Sequence, residues 1–407
     1  MKISRQLLII LIFSYLTPGI MIYEMGAISQ IILLGILFIP ATFLLNIFSR
    51  KKCIYSKTDM NLFTLYLLVC VISILSHGEN IRANLLTFLP GILIGMFFLK
   101  NKFYEKNFFV NVISLFVILQ FLMSFLQFIE PKKFDSIFSS YMLETSFSNY
   151  HFKVGRIGSV WKEAPRFSAI LVSIIPYLIY GLLNSKSQIK RYYLGICIFI
   201  GIITTIFTIT RVSIIVLLII LMVYFFSMNK IKYLLPILVT ILTLMFILPI
   251  LNNYDIVNNF ERLFNVEMTK SEFYSSPSHY NRLSIINILL PLVFESPFLG
   301  VGYKYQNSLM IGFSSAHNSF LHSLLVYGLP ATIIMVLIIF RENISLFQRF
   351  FSDQESKYSF KVACQFSSLS LIVIGLFHSV LFDIQANILF WFAIGYIAST
   401  NPKDKTK

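Results

Sequence analysis

The chain has 407 residues, of which 57% are hydrophobic and only 13% charged, and its formal net charge is +15. A soluble domain needs about 25% charged residues to solvate its surface, so a soluble globular fold is excluded. A charge of this size raises nucleic acid as a partner, and only its distribution along the chain decides that question.

A bilayer core of about 30 Å is crossed by roughly 20 apolar residues in helical form. Such runs occur near 6–23, 28–48, 60–76, 83–99, 108–129, 165–184, 192–210, 212–228, 233–251, 317–340, 361–380 and 384–399. The first, with Lys2 and Arg5 ahead of an apolar run to Tyr23, has the look of a signal peptide. It lacks a small-residue cleavage site and further spans follow, so it reads as an uncleaved first span. The stretch from Arg191 to Met228 reads as two spans. As one helix it would reach about 57 Å and carry Arg211 through the bilayer centre, at a cost of about 2.5–3.5 kcal/mol or more. A fold-back at Thr210-Arg211 returns the guanidinium to the interface. The reading is an all-α polytopic membrane protein, a single transmembrane domain over 1–407 with about 12 transmembrane helices.

Charge then sets the orientation. With both termini cytoplasmic, the loops assigned inside hold 21 Lys and Arg against six Asp and Glu, which is the whole +15, and the outer side holds 12 of each. This is the positive-inside bias, and it accounts for the charge without nucleic acid. Cys53 lies in a basic loop and Cys70, Cys197 and Cys364 in apolar runs, so no disulfide framework is expected.

Two outer segments are longer than hairpins, 130–163 and 252–316, the latter falling between spans 9 and 10. Long connections that are not low in complexity usually carry function. Within the second, Tyr280 to Glu295 predicts a helix at the outer interface with Pro291 inside it, followed by the turn Ser296-Pro297-Phe298-Leu299-Gly300-Val301-Gly302. Gly300-x-Gly302 lacks the rest of a dinucleotide fingerprint and reads as a turn.

The candidate chemistry sits at the outer ends of spans. Arg211 caps a hairpin, either as a snorkelling interfacial residue or as an anion site. An outward arginine opposes the orientation bias, and its forked guanidinium suits phosphate oxygens, which favours the anion site. Arg282 opens the 280–295 helix, where a cation opposes the macrodipole; it either pairs with Glu295, Glu272 or a lipid phosphate, or binds a substrate anion. Arg156 and Arg166 flank Gly158-Ser159-Val160-Trp161-Lys162-Glu163-Ala164-Pro165, as headgroup anchors or as substrate contacts with Glu163. His317 starts the tenth span beside Asn318, either as an interfacial hydrogen-bonding residue or as a general base, since imidazole titrates near neutrality. His322, five residues on, does not share its helix face, and His151, His279 and His378 have no partner at ligand spacing, so no metal site is expected.

Four stretches resemble the O-antigen polymerase and ligase superfamily of bacterial inner-membrane enzymes. They are Thr210-Arg211-Val212-Ser213; Asn281-Arg282-Leu283 through the Ser296–Gly302 turn; Ala316-His317-Asn318-Ser319-Phe320-Leu321 with Tyr327-Gly328-Leu329-Pro330; and Arg156 through Pro165. Ala164 interrupts the usual Glu-Pro pair, and Pro330 stands where a second glycine is common. The resemblance implies a C-type glycosyltransferase fold and metal-independent transfer from undecaprenyl-diphosphate-linked sugar, with no cofactor. Arg211 and Arg282 would hold the diphosphate and His317 would act on the acceptor hydroxyl. Arg156, Arg166, Glu163 and Asn318 would be substrate contacts. Partners implied are the lipid-linked oligosaccharide and polymer, membrane lipids and a chain-length regulator protein. Within the superfamily, the Trp161–Pro165 segment and Ser319, where ligases often carry an acid, favour a polymerase over a ligase. A lipid-linked oligosaccharide flippase is the rival of another class; it fits poorly with halves that differ in loop length and charges that cluster at interfaces.

Overall fold

The computed structural model of the chain describes residues 57–78, 81–100, 105–130, 164–208, 210–227, 280–303, 305, 316–350 and 359–400. The spans expected near 6–23, 28–48 and 233–251, the segment 131–163 and most of 252–316 lie outside the described residues. Among the described residues there are ten α-helices and no strand: α1 (Lys57–His77), α2 (Ile81–Lys100), α3 (Lys106–Ile129), α4 (Ala164–Asn184), α5 (Gln188–Phe207), α6 (Arg211–Ser227), α7 (Tyr280–Glu295), α8 (Ser319–Phe350), α9 (Phe360–Gly375) and α10 (Ile384–Ser399). Each of the other nine expected spans coincides with one of these helices, and the helix predicted over 280–295 is α7. Five of the ten, α1, α3, α4, α5 and α8, are long and apolar enough to cross a membrane.

The exposed faces say what surrounds them. On α1, Leu65, Leu68, Ile72 and Leu75 are exposed at helical spacing, and on α3 so are Leu115, Leu119, Leu122, Leu126 and Ile129. Two such apolar stripes would be an aggregation liability in water, whereas in a bilayer they are the lipid face. These are the helices of a multi-pass membrane protein.

The chain divides into two compact units. One holds α3 to α6 and the first part of α9; the other holds α1, α2, α7, most of α8, the end of α9 and α10. In the first, Phe109 near the start of α3 packs on Tyr177 near the end of α4, with ring centroids 5.1 Å apart. Phe128 at the end of α3 stacks on Phe207 at the end of α5 at 5.3 Å. These contacts make α4 antiparallel to α3 and α5. The α4–α5 turn is short, and Ser187 caps α5 by accepting from the Lys190 amide.

In the second unit α1 and α8 run antiparallel. Arg341, late in α8, pairs with the buried Asp59 at the start of α1, while Ser73 near the end of α1 donates to the Val326 carbonyl early in α8 at 2.9 Å. Asp59 and Arg341 come from two segments that the charge pattern assigns to the same side. α2 packs closely on α10, and a Cβ at Gly395 would strike the Gly95 carbonyl. Only glycines allow the two backbones that near.

Candidate functional site

In the first unit, the break between α5 and α6 falls where an arginine inside one long helix would have been costly. α5 ends at Phe207 and α6 starts at Arg211. Hydroxyls close the turn: Thr208 Oγ1 donates to the Thr205 carbonyl at 2.7 Å, and the buried Thr210 donates to the Thr208 carbonyl at 3.4 Å. This satisfies main-chain acceptors that the break exposes and leaves Arg211 exposed as the first residue of α6.

The start of α6 is fastened to the start of α4. Ser168 Oγ and Ser213 Oγ lie 2.7 Å apart and both are fully buried. Ser168 Oγ also donates to the Pro165 carbonyl at 2.9 Å. A hydroxyl has one proton, so Ser213 is the donor between the two serines. Arg166 stands two residues before Ser168 and Arg211 two residues before Ser213. Two arginine-bearing helix starts therefore lie at one end of this unit, with Arg166 half-buried and Arg211 exposed. Helix N-termini carry partial positive charge. Adding cations there is unfavourable by itself and makes sense beside an anion.

In the second unit, α7 leads into the Ser296–Gly302 turn, which is locked onto a break in α8. Gly328 has φ +82° and ψ 177°, a conformation essentially confined to glycine, and splits α8 into two helical segments. Several main-chain groups beside the break are taken up by other elements. Val301 N–H donates to the Leu325 carbonyl at 2.7 Å, and Leu329 N–H to the Pro297 carbonyl at 2.7 Å. Ser73 Oγ reaches both the Leu299 carbonyl, at 2.6 Å, and the Val326 carbonyl. Thr332 Oγ1 donates to the Gly328 carbonyl at 3.0 Å. The turn and the Tyr327–Pro330 motif are thus one joint, and it fixes α7, which carries Arg282 in its first turn, against α8, which carries His317 just before its start.

At the head of α8, Asn318 is the N-cap. Its Oδ1 accepts from the amides of Phe320 and Leu321, both at 2.9 Å, and its Nδ2 donates to the Leu376 carbonyl at 2.9 Å. Ser319 Oγ donates to the His378 carbonyl at 3.0 Å and accepts from the Leu381 amide at 3.2 Å. The α9–α10 turn is therefore held to the start of α8. His317 itself has φ +48°, a left-handed conformation that a residue with a Cβ adopts at some cost and that clusters at functional sites. Its ring lies 6.3 Å from that of His378, centroid to centroid, in an edge-on arrangement. One turn further, buried His322 is hydrogen-bonded through Nδ1 to the Tyr305 hydroxyl at 2.8 Å and packs on Phe382 at 4.7 Å.

Of the residues singled out in the sequence, the structure puts Arg166 with Arg211 in one unit, and Arg282, His317 and Asn318 in the other. Arg156 and Glu163 lie outside the described residues. Among the described residues no group of three His, Cys, Asp or Glu could hold a metal ion. Spacing along the chain gives His378 no partner. Its partner is His317, 61 residues earlier, and the apolar run drawn to residue 380 hid a helix that ends at Gly375. The serine pair 168 and 213 was likewise invisible as a pair; only the matching Arg-x-Ser spacing at two span starts hinted at it.

The family model described as O-Antigen ligase matches residues 196–336. That stretch takes in Arg211, Arg282, His317, Asn318 and the Ser296–Gly302 turn, and leaves out Arg156, Glu163, Arg166 and His378. No curated protein matches the chain.

Proposed function

Taking residues 196–336 as a segment of the O-antigen polymerase and ligase superfamily, we propose that the chain is a polysaccharide polymerase. It joins undecaprenyl-diphosphate-linked repeat units at the periplasmic face of the bacterial inner membrane, with both of its own ends in the cytoplasm and about twelve spans. The product is O-antigen, capsule or a related surface glycan. The observation that carries this reading is that the family match covers two arginines and one histidine, each at or beside a helix start.

The chemistry follows from those groups. An acceptor hydroxyl attacks the anomeric carbon of the lipid-linked donor, the bond from that carbon to the diphosphate oxygen breaks, and the diphosphate departs on its lipid. Arg211 and Arg282 offset the charge that grows on the leaving oxygens, work that guanidiniums perform without a metal. His317 takes the proton from the hydroxyl, a contribution typically of about 10²–10⁴-fold. Arg166, on the helix start that Ser168 joins to that of Arg211, is a further diphosphate contact, and Arg156, Glu163 and Asn318 contact glycan.

A ligase, which transfers finished polymer to lipid A core, is the alternative within the superfamily. Ser319 supports the polymerase, because its hydroxyl donates to the His378 carbonyl, which an ionised acid at that position could not do. The test is polymerisation by purified protein in detergent with a defined lipid-diphosphate repeat unit and EDTA. A ladder of products supports the proposal. Transfer only to a lipid A core acceptor turns it into the ligase, and no transfer to either sugar acceptor overturns it.

A further inference from the structure

The α9–α10 turn lies outside the matched segment, yet the structure builds it into the head of α8. Asn318 Nδ2 holds the Leu376 carbonyl, and Ser319 Oγ holds both the His378 carbonyl and the Leu381 amide. Phe382, at the end of the same turn, packs on the His322 ring one helical turn further along α8. The His378 main chain itself donates to the Ile374 carbonyl at 3.0 Å. Three side-chain hydrogen bonds from Asn318 and Ser319 thus reach this one turn, on and to both sides of the main chain of a histidine. Its imidazole is half-buried, as is that of His317.

The spacing of the two rings has a chemical meaning. At 6.3 Å between centroids and edge-on, the imidazoles do not stack face to face. One hydroxyl at about 2.9 Å from a nitrogen of each ring bridges a gap of this size. Vicinal hydroxyls of a sugar would serve equally, one to each ring. A main chain pinned at both sides of His378 fixes the Cα from which its ring projects toward that of His317, as a group that orients substrate requires of its backbone.

We infer that His378 is a positioning residue of the acceptor site: its imidazole hydrogen-bonds the acceptor sugar and holds the attacking hydroxyl against His317. The inference rests on the glycosyl-transfer reading above and extends it to a residue the family match does not reach. His378 moves no proton in the transfer. It accepts or donates one hydrogen bond to a sugar hydroxyl, and the bond changes remain those of the transfer itself.

The test uses the whole chain in detergent, with a lipid-diphosphate repeat unit that lacks its attacking hydroxyl at saturation as donor. A repeat unit joined to its lipid through a C-glycosidic phosphonate, which has no leaving oxygen on the anomeric carbon and is hence acceptor only, is titrated against it. His378→Ala is expected to raise the acceptor KM about ten-fold, the size of one lost hydrogen bond to a well-oriented group, and to change kcat less. His378→Gln, which keeps a neutral hydrogen-bonding end, is expected to recover most of the loss. Both variants should melt with wild type, because the tie to Ser319 uses the main-chain carbonyl. An unchanged acceptor KM in His378→Ala overturns the inference alone. So does a loss that tracks a lowered melting temperature and is not recovered by Gln, which marks a structural role. Wild-type protein that transfers no sugar overturns the glycosyl-transfer reading, and this inference with it.

Discussion

Ser213 Oγ lies 2.7 Å from Ser168 Oγ, and this one contact sets the register of α6 on α4. Because each serine follows an arginine by two residues, it also brings Arg166 and Arg211 to the same end of their unit. Both hydroxyls are fully buried, and Ser168 gives its own proton to the Pro165 carbonyl, so the proton between the two comes from Ser213. The bond contributes about 1 kcal/mol to the fold; its larger consequence is where the guanidiniums fall.

Arg211→Ala is therefore expected to lower the transfer rate on the order of 10²–10³-fold, as loss of one oriented donor to a developing anion does. Arg211→Lys should recover little, since an ammonium keeps the charge but lacks the fork. Arg166→Ala, one contact further from the matched segment, should cost about ten-fold. Initial rates with purified variants check this, alongside membrane protein levels. Wild-type rates for Arg211→Ala would remove the arginine from the site.

His317 separates backbone from chemistry. Its φ of +48° suits asparagine, which tolerates the left-handed region, better than alanine. His317→Asn should thus keep the melting temperature of wild type more closely than His317→Ala. Neither side chain can take up a proton near neutrality, so both should lose about 10²–10⁴-fold in rate. Long polymer from either variant at normal expression would end the assignment of a base.

Much of this was legible in the sequence, and the reasons are specific. The bounds of α7, 280–295, could be read because Tyr280-Asn281-Arg282 opens an apolar run and Ser296-Pro297 stops it. The α5–α6 break could be read because Arg211 is costly mid-membrane. The joint at Gly328 could not. Glycine and Pro330 announce a disturbed helix, but nothing local says that Pro297, Val301 and Ser73 supply the missing partners, the last from 255 residues away. His378 is illegible for the same reason: spacing along one helix finds ligands on that helix, and its ring contact is with a residue at the head of another.

The sides of the membrane can be tested from a pair already in contact. Asp59 and Arg341 pair in the second unit, and both come from segments that the charge pattern assigns to the cytoplasm, whereas residues 252–316 are assigned outside. A cysteine at Ser275 in a chain lacking its four native cysteines should react with an impermeant maleimide in intact spheroplasts. One at Glu355 should react only after the membrane is opened. The reverse pattern would put the proposed site on the wrong side for a periplasmic polymerase.

The joint itself can be tested with two glycines that a helix-propensity argument treats alike. Gly195 lies inside α5 and Gly328 inside the residue range of α8, and replacing a helical glycine with alanine ordinarily stabilises by about 0.5–1 kcal/mol. At Gly195 a Cβ meets nothing within 4 Å, so that gain should appear as an unchanged or slightly raised melting temperature. At Gly328 the φ of +82° excludes alanine, and the added Cβ would strike the Phe298 carbonyl and crowd the Gly300 amide at 2.9 Å. Strain of this kind costs about 1–3 kcal/mol before any clash is relieved. Relief requires the Ser296–Gly302 turn to move off α8, releasing the Leu325 carbonyl from the Val301 amide and the Leu329 amide from the Pro297 carbonyl. Gly328→Ala should then melt lower than wild type and lose transfer activity together with it, because the same turn fixes Arg282 relative to His317 through α7. Gly195→Ala should do neither. Equal behaviour of the two variants would mean that the Gly328 break is not what holds the turn.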